Sequence, residues 1–211
     1  MKPILFNTEM VQAILENRKT ITRRLIKPQP DSKHQSPLGY VVGGCKQDHE
    51  GYFGWGIDEY GGHIQYAKPP YNYGDTLYVR ETWCNVMKPE LEPEYAYFAD
   101  AKYSEDYDPS EWKWSPSIHM PKEAARLFLR VTSIRVERLW DITEEQALKE
   151  GFYKGMKFSK FGSTAHTARQ AFMWWWQRQY DNGLYSWASN PWVWVTEFEP
   201  IPEYKAILKE I

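Results

Sequence analysis

Near the start of the chain, apolar Met10, Val11, Ile14 and Leu15 recur at helical spacing behind Asn7 or Thr8, either of which can cap a helix. The spacing predicts a short amphipathic helix over 7–17 that stops at Asn17. The run 20–26 is β-branched and reads as a strand, ended by Lys27-Pro28-Gln29-Pro30. From 28 to 73 the chain is rich in Gly, Pro, Tyr and polar residues, the pattern of an insertion holding a small hairpin or a lid, with short strands near 39–43 and 51–55. Gly74-Asp75 is a turn signal before a strand over 76–83.

A second insertion, 85–121, carries a strand at 95–98 and an acidic, aromatic loop over 100–114 that reads as exposed. Pro121 opens a helical turn to Arg126, and the alternation over 127–139 predicts the longest strand. The segment from Asp141 through Glu145 is a helix-start signature for a helix closing at Gly151. A further helix is predicted over 165–180, with Phe172, Trp175, Trp176 and Gln179 on one broad face. Asn182-Gly183 makes a turn, 192–198 is a strand apolar enough for two-sided burial or a small barrel, and a loose helix is expected after Pro202. No repeat occurs, and the absence of βαβ repetition disfavours a dinucleotide fold. The expectation is one α+β domain over 1–211.

Charge narrows the partners. The 26 basic and 28 acidic residues leave a net charge of -2, which argues against a protein that coats long stretches of nucleic-acid backbone. No apolar run is long enough for a membrane span, the first residues are too short an apolar stretch for a secretory signal, and Cys45 and Cys84 form no CxxC pair. Free thiols and a cytoplasmic location are expected. His34, His49, His63, His119 and His166 show no zinc spacing, and no phosphate loop or nucleophile elbow appears, so neither metal nor cofactor is expected. With 11 Trp, 15 Tyr and 9 Phe, the chain is 17% aromatic, which serves either core packing or base stacking. Trp175, Trp176, Trp192 and Trp194 lie in regular elements and read as core, whereas Trp55, Trp83, Trp112 and Trp114 lie in or beside the insertions and remain candidates for stacking.

The densest polar cluster runs from Asn17 to Arg24, with four cations at a helix-to-strand junction. It reads either as a solvated basic loop or as an anion or nucleotide site, in which Thr20, Thr22 and Arg24 share a strand face and Lys19 turns toward it from the bend. Glu81, an acid inside an aromatic strand, is either paired with an arginine or placed beside the pocket with Trp83.

Asn17, Lys19 and Arg24 following a helix resemble the G-x-K-x-x-x-x-R signature of the ASCH domain family, relatives of the PUA fold, with Asn17 where the family has Gly. The resemblance extends over the strands at 77–83, 127–139 and 192–198 and the helix at 143–151, about half of the chain. With its two long insertions the chain looks like the larger ASCH proteins of phages and prophages. The resemblance implies a PUA-like small mixed β-barrel with a few flanking helices, and a nucleoside or short single-stranded RNA as partner. Small bacterial members of the superfamily hydrolyse N(4)-acetylcytidine with a Lys base, a Thr nucleophile and a Glu proton donor, the first two within G-R-K-T-x-T. Arg18-Lys19-Thr20-Ile21-Thr22 matches that segment, so the resemblance implies Lys19, Thr22 and Glu150 as catalytic residues; Arg18, Thr20, Arg24, Glu81 and Trp83 are the residues expected around the ligand. The other functions it allows are a non-catalytic reader of RNA or a modified base, and a ribonuclease.

Overall fold

The computed structural model describes residues 1–43, 49–60, 62–86, 94–102, 112–158, 163–181 and 183–202. Its frame is a five-stranded sheet. Strand β1 (Lys2–Leu5) precedes helix α1 (Thr8–Leu15) and strand β2 (Ile21–Leu25). Strands β3 (Ser36–Tyr40), β4 (Phe53–Gly56) and β5 (Ile64–Ala67) form an antiparallel sheet of their own within the first insertion. Next come β6 (Thr76–Arg80), the hairpin β7 (Trp83–Val86) and β8 (Glu94–Tyr97), β9 (Phe128–Arg138), helix α2 (Glu144–Lys149), the hairpin β10 (Lys157–Phe158) and β11 (Ser163–Thr164), helix α3 (Ala168–Gln179) and β12 (Trp192–Pro200). The main sheet runs β1-β6-β9-β12-β2, parallel between β1 and β6 and antiparallel elsewhere. The α+β class is as the sequence predicts; among the described residues β1 and β2 end the ladder, and no strand pairing closes it into a barrel.

Local chemistry accounts for the elements. Asn7 accepts from the Met10 amide at 2.9 Å and starts α1, and Asn17 ends it with φ 56, a left-handed conformation that asparagine tolerates. Met10, Val11 and Ile14 are buried as predicted, but Leu15 is exposed. In α2, Thr143 and Gln146 form a reciprocal capping box, and Thr167 caps α3. Strand β12 is buried on both sides: Val193 and Val195 pack with α3, while Trp192 and Trp194 pack with Ile26, just past β2, and with Phe53 and Trp55 of the small sheet. The strand expected over 76–83 instead breaks at Glu81 and Thr82 into β6 and β7, which belong to different sheets. The segment expected as a loose tail helix after Pro202, Cys45 and most of the acidic loop lie outside the described residues. No helix among the described residues is long and apolar enough to cross a membrane.

Candidate functional site

Lys19 and Glu150 are far apart in sequence and meet because two chain turns abut. The amides of Arg18 and Lys19 both return to the Ala13 carbonyl, and the Thr20 amide donates to the Lys149 carbonyl at 2.8 Å, so 18–20 runs against the end of α2. Gly151 permits that approach. Its φ of 94 is left-handed, and a Cβ there would stand 2.9 Å from the Ala13 Cβ and 3.6 Å from the Lys19 Cβ.

The Lys19 ammonium is fully buried and donates to the Glu150 carboxylate at 2.9 Å, the Glu150 carbonyl at 2.9 Å and the Ile21 carbonyl at 2.7 Å. Glu150 also meets Arg23 at 3.4 Å, and Arg23 reaches Glu137 at 2.8 Å and Gln146 at 2.9 Å. The capping-box glutamine thus serves both the start of α2 and the ion network. Burial pulls the Lys19 pKa below its ordinary value; the Glu150 carboxylate opposes that pull, and the Arg24 and Arg23 charges reinforce it. Thr22 is 1% exposed, and its hydroxyl has no hydrogen-bond partner among the described residues. Directly across the ladder stands Thr196, equally buried and equally unpartnered.

A narrow cavity reaches Glu150 from outside, lined by Asn7, Met10, Phe152, Met156 and Trp175. It shares Glu9, Met156 and Trp175 with a cleft of about 620 Å³ between α1, the β10–β11 hairpin and α3, which Lys157 and Arg178 also line. Trp175 also borders a depression of about 490 Å³ that includes Arg24 and Tyr71.

The remaining predicted residues divide. Arg18 pairs with Glu16, donates to the Gly151 carbonyl at 3.1 Å and lies over the Tyr153 ring. Arg24 donates to the Leu5 carbonyl at 2.9 Å and sits over Phe6, whose ring also lies 5.4 Å from the Lys19 nitrogen. Thr20 is half-buried and holds the site through its backbone. Glu81 and Trp83 line none of these three depressions. Both Glu81 oxygens accept from Arg126 at 3.0 Å, and burial raises the Glu81 pKa against that pairing. Trp83 packs on the cluster of Tyr97, Met120 and Phe128. No hydrogen bond or ion pair among the described residues joins either residue to Lys19 or Glu150. Of the tryptophans that were candidates for stacking, Trp55 is 1% exposed and belongs to the core.

The cleft's own ring, Trp175, was to be expected in the core. A signal for it does exist: Trp174, Trp175 and Trp176 sweep about 200° of a helix at about 100° per residue, more than one apolar stripe covers. Trp176 takes the buried direction, whereas Trp175 is half-buried: it packs on two core clusters, against Phe152 and Phe172, and also borders the cleft. The sequence also hides a histidine pair. His34 Nε2 stands 3.0 Å from His63 Nδ1, and the Asp31 carboxylate accepts from His34 Nδ1 at 2.8 Å.

No family model, curated protein or solved structure matches this chain.

Proposed function

We propose that this chain is an ASCH-type, PUA-like protein whose Lys19–Glu150 pocket hydrolyses an amide on a modified nucleoside of the N(4)-acetylcytidine kind. The observation that carries the reading is the buried Lys19–Glu150 pair at 2.9 Å, with the lysine pKa drawn down, at the foot of a cleft walled by Trp175. A lysine becomes a base only when neutral, and burial beside Arg23 and Arg24 favours that state. In the reaction Lys19 takes the Thr22 proton as the hydroxyl oxygen bonds to the amide carbon. Glu150 then protonates the amine as the carbon–nitrogen bond breaks, and the proton that Lys19 took passes to the Glu150 carboxylate across their 2.9 Å contact, which restores both groups. Water then attacks the threonyl ester with Lys19 as base, and Lys19 returns that proton to the Thr22 oxygen as the ester carbon–oxygen bond breaks and the acid leaves. The unpartnered Thr22 hydroxyl is consistent with that role.

A second reading, a non-catalytic reader of RNA or a modified base, draws on two features. The Lys19 ammonium already has an acceptor for each hydrogen, and Thr22 is closed off at 1% exposure.

Incubation with N(4)-acetylcytidine, followed by chromatography of released cytidine, separates the two. Turnover is expected to fall by about 10²-fold or more in Thr22→Val and Glu150→Gln, with unchanged circular dichroism. The rate should rise with pH along a limb set by Lys19, whose folded pKa lies below 10.5. Wild-type release no faster than that of Lys19→Ala defeats the hydrolytic reading, and binding without turnover then identifies the reader.

A further inference from the structure

We propose that the cleft beside Glu150 is a nucleotide site in which Trp175 carries the base and Lys157 and Arg178 hold a phosphate group. The proposal rests on the cleft being the ligand site of the reading above, and adds that the ligand is anionic. Three depressions meet at Trp175, and the largest, about 620 Å³, has the size of a small-molecule site. The passage toward Glu150 is far narrower, about 20 Å³, so it admits a small substituent while the ring system stays outside on the indole.

Two cations line the large cleft, Lys157 from β10 and Arg178 from the last turn of α3. Both are exposed, and neither makes a hydrogen bond or ion pair among the described residues. A cation in the last turn suits the helix dipole, which gives Arg178 a structural reason to be there. Lys157 has no such reason, and its convergence with Arg178 on one cleft is what a phosphate group calls for. The cleft also contains Glu9, whose carboxylate accepts, among the described residues, only from the Asn7 side chain at 3.3 Å. A phosphate avoids that wall, whereas the adjacent hydroxyls of a ribose donate to a carboxylate. Ring, acceptor and paired cations together match the base, sugar and phosphate of a nucleoside monophosphate.

Calorimetric titration of the full chain with cytidine, 5′-CMP and a 5′-phosphorylated cytidine dinucleotide tests this. CMP is expected to bind about tenfold tighter than cytidine at low salt. The advantage should vanish at high salt and in the Lys157→Gln/Arg178→Gln double variant, which leaves cytidine binding unchanged. Trp175→Ala should weaken every ligand, and Trp175→Phe should recover most of the loss. Equal binding of the two phosphorylated ligands supports the site and points to free nucleotides; a preference for the dinucleotide supports it and points to a strand. Equal affinity for CMP and cytidine, or a preference that survives the double variant, overturns it. A phosphate preference without amide hydrolysis removes only the reaction proposed above, and hydrolysis without a phosphate preference removes only this inference.

Discussion

Gly151 joins three requirements at one residue: it ends α2, it turns through a left-handed φ of 94, and it lets α1 come within contact distance of the Lys19 wall. Gly151→Ala adds both backbone strain and a Cβ 2.9 Å from that of Ala13. It should cost about 1–3 kcal/mol in urea unfolding. A double-mutant cycle with Ala13→Gly apportions the loss, because relieving the contact leaves the strain in place. Glu81 teaches a different lesson. Its strand position demanded a partner or a function, and Arg126 supplies the partner with both oxygens engaged. An ionisable residue in an apolar pattern therefore identifies a constraint without saying which kind.

At the scale of elements, the small β3–β5 sheet is held to the main sheet through Trp55, which packs its ring 4.7 Å from Phe53 and 6.0 Å from Trp192. Trp55→Ala should therefore cost about 3–5 kcal/mol. Hydrogen exchange of the Phe53–Gly56 amides ought to accelerate more than that of β9, since the small sheet loses its principal anchor. An unchanged exchange pattern would show that Tyr40, which bonds the Ile134 carbonyl at 3.1 Å, anchors the sheet instead. The insertion thus contains the hairpin pairing that the sequence predicts, extended to three strands and packed as a layer on the main sheet.

For the molecule as a whole, alkaline pH sets groups of opposite sign against each other. Burial raises Tyr40 and Tyr97 to about 12 from 10.0. Between those values the unfolded chain has lost phenolic protons that the native chain keeps, so stability falls as pH rises through the window. Lys19 acts in reverse: its folded pKa lies below 10.5, the native lysine releases its proton first, and stability rises with pH up to the unfolded value. Thermal melts across this range should show the loss setting in above about pH 10. Tyr97→Phe, which gives up the 2.7 Å bond to the Ala124 carbonyl, should flatten that loss even though it lowers the neutral-pH melting point.

What the sequence determined by itself was local. The caps at Asn7 and Thr143, the stop at Asn17, the turn at Gly151 and the two-sided apolar character of 192–198 are each written within a few residues, because side-chain periodicity and backbone preference act over that range. Strand β1 was invisible for the same reason: four residues next to the terminus carry little pattern, and their pairing with β6 is parallel and distant. Lys19 and Glu150 could be singled out as residues, but only tertiary packing brought them to 2.9 Å across 131 positions and buried both side chains. It also decided that Trp55 is interior and that Trp175 borders the cleft. A helical or strand pattern says that a ring has a buried direction available; which neighbour occupies that direction depends on contacts from elsewhere in the chain.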